Sequence, residues 1–263
     1  MKSPAGPVIS LTTDFGTADH YVGTMKGVIL GIAPDARIVD ISHEVQPFEI
    51  ASGAYLIAQA ARWFPPKSIH VVVVDPGVGS ARRPILMEAA GHYFIAPDNG
   101  VLSMILENEK VRHITADRYL LQPLSNTFHG RDIFAPVAAH LAAGVPPSSF
   151  GKRIDDHVRL DFFRPRRTGK RVWTGVVLHI DRFGNLITNF HIDEFPDVNT
   201  REFQLNIGLE KLARLAPNFS EIPKGELTAI AGSSGYLEVV ANQASAAKRL
   251  GCGTGAPVEL ILY

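Results

Sequence analysis

The sequence predicts an α/β protein: an N-terminal α/β domain on a mostly parallel sheet, followed by a smaller C-terminal β-barrel-like domain. Three observations carry this. Apolar, β-branched runs at 8–12, 36–41 and 69–74 alternate with two helical patterns, giving βαβαβ, which calls for parallel strands and right-handed crossovers. The third run contains four consecutive valines, 71–74, the composition of a strand buried on both faces. Beyond Val145 short strand-like segments follow one another with almost no helix, as in a small barrel or sandwich.

The first strand ends in Thr13-Asp14-Phe15-Gly16, which puts a carboxylate at a strand-to-loop junction. A helix follows over 21–32, and Pro34 marks its end. Gly23, Gly27 and Gly31 fall on one face of it. Each costs about 1 kcal/mol against alanine, so three together predict close packing against a neighbour. Residues 48–64 read as a second helix with a long apolar face. The valine strand stops at Asp75-Pro76-Gly77, all turn formers, and Arg82 and Arg83 come soon after. Two strands around Gly91 (84–89 and 92–96), the loop Pro97-Asp98-Asn99-Gly100, and helices over 101–108 and 131–143 complete the domain. Its expected extent is 1–158. Prolines and the basic stretch 164–170 suggest a linker over 159–170, and the β domain is expected over 171–263. Strands are predicted there at 171–180, 185–189, 202–207, 227–231, 236–240 and 258–262, with one helix at 243–250.

Composition narrows the function. Lys+Arg and Asp+Glu are equal at 26 each, which argues against a nucleic-acid partner. Cys252 is the only cysteine, so an intrachain disulfide and a cysteine-rich metal cage are excluded. The ten histidines show no H-x-x-x-H or H-E-x-x-H pairing, so no metal is expected. No apolar run has the length of a signal peptide core or a membrane span, and a cytoplasmic setting is expected.

The chemistry-bearing residues gather at loops. Asp14, Asp75 and Asp98 each lie just beyond an apolar strand; singly, each is equally an ordinary Asx turn. If the first and third strands are neighbours, Asp14 and Asp75 share a rim, where open α/β sheets bind ligands. Gly77-Val78-Gly79 fits neither the P-loop nor the dinucleotide spacing. His129, in Phe128-His129-Gly130-Arg131-Asp132, is alone a helix cap as readily as a functional group. Asp181-Arg182-Phe183-Gly184-Asn185 joins an acid, an aromatic face and an amide, and is also good hairpin-turn chemistry. No serine sits in a nucleophile elbow, which leaves water as the nucleophile if the protein is a hydrolase.

Taken together and in order, Thr12-Thr13-Asp14-Phe15-Gly16, Val74-Asp75-Pro76-Gly77-Val78-Gly79, Ala96-Pro97-Asp98-Asn99-Gly100, Thr127-Phe128-His129-Gly130-Arg131-Asp132 and Asp181-Arg182-Phe183-Gly184-Asn185 resemble the S-adenosyl-L-methionine (SAM) hydroxide adenosyltransferases. That family hydrolyses SAM to adenosine and L-methionine and is related to the fluorinases and chlorinases. The resemblance covers the chain from Val8 to about Tyr263. It implies a Rossmann-like N-terminal domain, a β C-terminal domain, and homotrimers with the active site at the subunit interface. It implies that Asp75, Arg82 and His129 handle the water and that Asp14 grips the ribose diol. Phe48 falls where the halogenases place a tryptophan beside the nucleoside. Asp19 and Asp181 match groups near the methionine part, Phe183 and Asn185 match adenine contacts, and Ser233 matches a contact to the methionine carboxylate. Ser234 stands where the halogenases have an arginine. SAM is then the substrate and no cofactor is expected.

The fluorinases carry a tyrosine at the Asp75 position, a serine at the Gly130 position and an insertion that is absent between Gly79 and Tyr93. An ionised Asp75 repels a halide, so water is the better nucleophile. The alternatives are a SAM-dependent halogenase and a non-catalytic adenosine- or SAM-binding protein.

Overall fold

The valine run sets the layers of the N-terminal unit, Met1–Leu160. A computed structural model describes residues 6–105 and 108–263. Among the described residues, this unit's sheet has seven strands: β1 (Val8–Thr13), β2 (Arg37–Ser42), β3 (Ile69–Val73), β4 (Pro84–Ala89), β5 (His92–Pro97), β6 (Lys110–His113) and β7 (Arg153–Ile154). Their order is β2-β1-β3-β5-β4-β6-β7. β2, β1 and β3 are parallel, as the βαβαβ pattern predicts; β5 joins β3 in parallel, and the sheet then continues antiparallel through β4, β6 and β7. Among the described residues, three α-helices accompany it: α1 (Tyr21–Ile32), α2 (Ile50–Ala61) and α3 (Ala135–Ala142). Val71 and Val73 pack with Met25, Ile29 and Phe134 on one face, while Val72 and Val74 pack with Ile57 and Phe94 on the other. A strand covered on both sides needs an apolar residue at every position, which is why the run does not alternate.

Several expectations change. The glycine face of α1 meets nothing: a Cβ added at Gly23, Gly27 or Gly31 would find no atom within 4 Å. Close packing falls instead on Gly53 of α2, where a Cβ would lie 2.9 Å from Val74 Cγ2. Helix α2 starts at Ile50, two residues late, because Phe48 is left-handed (φ 70). Residues 101–104 form turns rather than the predicted helix. Asn99 Oδ1 accepts from Val101 N at 3.1 Å, and the bonds Ser103 N to Gly100 O and Ile105 N to Leu102 O close after three residues. The predicted helix extends over 106–107, which lie outside the described residues. The helix expected at 131–143 is a π-helix over Gly130–Phe134 running into α3, a change of winding that apolar periodicity does not register.

In the second unit, Asp161–Tyr263, the described residues form a nine-stranded sheet. Its strands are β8 (Arg166–Gly169), β9 (Val172–Ile180), β10 (Leu186–His191), β11 (Phe203–Ile207), β12 (Glu210–Leu212), β13 (Leu215–Ala216), β14 (Leu227–Ala231), β15 (Tyr236–Ala241) and β16 (Pro257–Leu262). The order is β12-β11-β16-β9-β10-β15-β14-β13, with β8 beside β9. β12 approaches β14, so the sheet curls into a half-barrel around Val177, Phe190, Leu205, Leu237, Val239 and Leu260. β8 lies in the stretch read as linker; its arginines are exposed, so it has no apolar signature, and Arg167 stacks 5.6 Å from the Trp173 ring. Helix α4 (Ala246–Leu250) begins three residues later than expected, since Gln243 is left-handed (φ 55) and Ser245 supplies the cap to Lys248 N at 3.1 Å.

Candidate active site

Asp14 and Asp75 stand on one rim because β1 and β3 are parallel neighbours, with Thr13 opposite Val73. Both chains leave the sheet there, at its carboxyl end. The Asp14 loop is tied down from behind. Thr13 Oγ1 bonds His43 Nδ1 at 2.8 Å, Gly16 N donates to the His43 carbonyl at 2.7 Å, and His43 Nε2 lies 3.0 Å from Asp40 Oδ1. Asp14 Oδ2 accepts from Phe48 N at 3.0 Å, which helps to hold Phe48 in its left-handed conformation, and the residue is 71% exposed. Burial raises the Asp14 carboxyl above its ordinary value, and the neighbouring Asp75 adds to this.

After Asp75 the chain turns tightly: Val78 N donates to Asp75 O at 3.2 Å and Ser80 N to Gly77 O at 3.1 Å. Gly79 has φ 79, and a Cβ there would lie 2.3 Å from the Asn126 carbonyl. Only glycine permits that approach, and it seats the loop carrying His129 against the loop carrying Arg82. Arg82 folds back onto Asp75. Its Nε lies 3.1 Å from Oδ1 and 2.9 Å from Oδ2, and its Nη2 lies 2.5 Å from Oδ2. The same Nη2 is 2.6 Å from His129 Nδ1. Both members of the ion pair are buried, with side chains 8% and 4% exposed. Arg82 Nη1 is buried without a partner.

This geometry fixes a tautomer. A guanidinium has only donors, so His129 Nδ1 must accept, and the proton of the neutral ring sits on Nε2. Burial, then the charge of Arg82, lowers the His129 pKa below the usual histidine value. A cleft of about 230 Å³ opens above the cluster. Asp14, Phe48, Asp75, Val78, Phe128, His129 and Gly130 are among its walls. A larger depression of about 430 Å³, bordered by Lys67, Glu88 and Lys110, lies at the opposite rim and holds none of these groups, so volume does not select the site.

Other residues fall elsewhere. Asp19 is exposed on the bend before α1 and does not line the cleft. Asp98 is spent on structure: Arg83 Nε donates to Oδ2 and Val158 N to Oδ1, both at 2.8 Å. In the second unit Asp181 closes its own turn. Oδ1 accepts from Phe183 N at 2.9 Å and Asn185 N at 2.8 Å, and Oδ2 accepts from Asn185 Nδ2 at 2.8 Å. The turn is therefore a hairpin device and at the same time presents Phe183, 78% exposed. Ser233 lies exposed in the loop between β14 and β15, where Gly235 N donates to Gly232 O at 3.0 Å, and Ser234 Oγ is buried with no partner. Sequence reasoning missed His43, which ties down the Asp14 loop, and Val78, a wall of the cleft. Among the described residues, no group of three or more His, Cys, Asp or Glu is arranged to hold a metal, and no helix is long and apolar enough to cross a membrane.

Two family models match, the SAM hydroxide adenosyltransferase N-terminal domain over 9–151 and its C-terminal domain over 175–259. The chain belongs to the SAM hydroxide adenosyltransferase family. It is 39% identical to a Methanocaldococcus jannaschii protein named (R)-S-adenosyl-L-methionine hydrolase, over 99% of this chain and 98% of that one. A Thermus thermophilus protein of the same name is 34% identical over 97% and 99%. A fluorinase from an Actinoplanes species is 28% identical over 93% and 94%. A crystal structure of an uncharacterized conserved protein from Thermotoga maritima superposes with a TM-score of 0.88 at 36% identity, covering 96% of this chain and 99% of the other. The family architecture of an N-terminal and a C-terminal domain corresponds to the layered α/β unit and the half-barrel.

Proposed function

We propose that this protein hydrolyses S-adenosyl-L-methionine to adenosine and L-methionine. The observation that carries this is the buried Asp75–Arg82–His129 cluster at the floor of the cleft, in a chain 34–39% identical to proteins named for that reaction. Water attacks the ribose 5′ carbon in line with the sulfonium. The new C–O bond forms as the C–S bond breaks, and the electron pair of that bond returns to sulfur, leaving neutral methionine. The leaving group takes no proton, so the site supplies alignment and a better nucleophile.

The residues divide that work by what each can donate or accept. The Arg82 guanidinium keeps a buried, unpaired Nη1 donor that favours hydroxide character in the nucleophile. His129 accepts from Arg82 through Nδ1, so its remaining ring nitrogen carries a proton and orients rather than deprotonates. Asp75 then takes the water's proton and passes it to solvent. Asp14 accepts from the ribose diol, and Phe48 lies beside the nucleoside. Phe183 and Asn185 meet adenine, Asp19 and Asp181 lie near the methionine part, and Ser233 meets its carboxylate.

The working enzyme is a homotrimer in the cytoplasm, with the active site at the subunit interface. The 230 Å³ cleft is small for so large a substrate, which fits a site that a neighbouring subunit completes. A halogenase reading is disfavoured at Gly130, where even a Cβ would lie 3.1 Å from Met25 Sδ and 3.3 Å from Phe15 Cε2. The test is turnover of SAM in ¹⁸O-water, with and without chloride, read by mass spectrometry. Label in the adenosine 5′-hydroxyl is expected. A 5′-chloro product would make it a halogenase, and binding without turnover would make it a SAM-binding protein.

A further inference from the structure

The loop that carries Asp75 and Arg82 straddles a strand. The chain leaves β3 after Val73 and enters β4 at Pro84, and in the sheet β5 lies between those two strands. The residues that follow β5 therefore meet both feet of the loop. They are Asp98-Asn99-Gly100, a stretch the scheme above does not use. At one foot the pairing of β3 with β5 stops at Val71 opposite Ile95, and the Asn99 side chain takes over: Nδ2 donates to the Val74 carbonyl at 2.8 Å. The amide is held this way round because its Oδ1 accepts from Val101 N at 3.1 Å. At the other foot the β4–β5 ladder, which pairs Pro84 with Pro97, gains one more bond, Asp98 N to the Arg83 carbonyl at 2.8 Å. Asp98 Oδ2 also accepts from Arg83 Nε at 2.8 Å. The residue before Asp75 and the residue after Arg82 are thus fastened to two consecutive residues of one turn.

The ion pair fixes Asp75 relative to Arg82, but it does not fix the pair relative to Asp14 on the rim beside it. In-line attack needs the water at the pair aligned with a 5′ carbon that the ribose site places, and the feet of the loop set that alignment. We infer that Asn99 is a positioning residue that, with Asp98, holds the Asp75–Arg82 pair in line with the ribose site. This rests on the SAM-hydrolase reading. Asn99 is not a wall of the cleft; it acts through the Val74 carbonyl on the acid next in the chain.

The experiment measures kcat and KM for SAM across pH in wild type, Asn99→Leu and Asn99→Asp. Leucine keeps most of the volume and has no donor. Its kcat should fall by about 10- to 100-fold, the scale of a small misplacement of reacting groups, while KM and the calorimetric affinity for adenosine stay nearly unchanged. Asn99→Asp keeps the acceptor for Val101 N but, when ionised, sets an oxygen against the Val74 carbonyl. Its kcat relative to wild type should be low at alkaline pH and recover as pH falls, when the introduced carboxyl regains a proton to donate. Asn99→Leu should show no such recovery. A wild-type kcat in folded Asn99→Leu, a loss that falls in KM instead, or a kcat ratio for Asn99→Asp that does not change with pH would overturn the assignment. If Asn99→Leu does not fold, the pH profile of Asn99→Asp decides alone. If wild type fails to turn over SAM, the hydrolase reading fails separately. Hydrogen exchange at Arg82 Nε, followed by NMR, then tests the clamp: it should be slow in wild type and faster in Asn99→Asp at alkaline pH, and equal rates would overturn it.

Discussion

Replacing Asp75 by asparagine removes one charge and almost no volume. The present contacts dictate how asparagine sits. Oδ2 receives both Nε and Nη2 of Arg82, at 2.9 and 2.5 Å, whereas Oδ1 receives only Nε, at 3.1 Å. The amide oxygen therefore takes the Oδ2 position and the NH₂ group turns toward Nε, a donor facing a donor. Breaking a buried ion pair by removing one partner costs about 3–5 kcal/mol, because the other charge stays buried. His129 Nδ1 still accepts from Nη2, so the lower end applies. About 3 kcal/mol corresponds to a fall of roughly 6–12 °C in Tm for a domain of this size. Turnover should fall further, by about 10²–10⁴-fold, the contribution of a positioned general base. Adenosine release from saturating SAM, followed by chromatography well below the variant's Tm, separates the two effects. Adenosine affinity by calorimetry should change little. Wild-type turnover in the folded variant would refute Asp75 as the proton acceptor.

Asp14→Ala should weaken adenosine binding by about tenfold or more, as expected for the loss of charge-assisted hydrogen bonds; unchanged affinity by calorimetry removes Asp14 from the ribose. Gly79→Ala places a Cβ against the Asn126 carbonyl at φ 79. A cost of about 1–3 kcal/mol and a lower kcat are expected, and a variant with unchanged Tm and kcat would show that the two loops are not keyed there. Gly130→Ser should reduce hydrolysis and yield no 5′-chloro product in chloride, since its Cβ already crowds Met25, Phe128 and Phe15; a chlorinated product by mass spectrometry would contradict this. Seven of the ten histidines have lowered pKa values in the fold, His70 most, pushed down to about 3. The unfolded chain then binds more protons below about pH 6.5. Their stabilisation is full above that pH and is lost as pH falls toward the folded values, so Tm should decline steadily through the acid range. A flat Tm between pH 7 and 5 would refute it.

The parallel half of the first sheet was legible because strands buried on both faces leave unbroken apolar runs, as at 71–74. β6 and β7 were not: four and two residues are too few to show a period. β8 is polar on both faces and hides among arginines. Asp75, Arg82 and His129 were legible as a set only through the resemblance, since the contact between the two loops depends on Gly79 meeting a carbonyl 47 residues away. Asp98 resembled Asp14 and Asp75 at a strand end, and only its bonds to Arg83 and Val158 separate a structural acid from the others.

The π-helix over Gly130–Phe134 has a consequence for how this site can vary. A π turn holds roughly one residue more than an α turn, so each of its residues rotates the chain by about 80° rather than about 100°. Five residues at the π winding and four at the α winding therefore turn the chain through nearly the same angle. Deleting one residue there would let the segment relax to an α-helix while His129 and the buried side of α3 kept almost the same relative facing. The same deletion in an ordinary α turn would swing the histidine by about a quarter turn away from Arg82. The π turn thus makes the length of this segment variable by one residue without retiring the histidine.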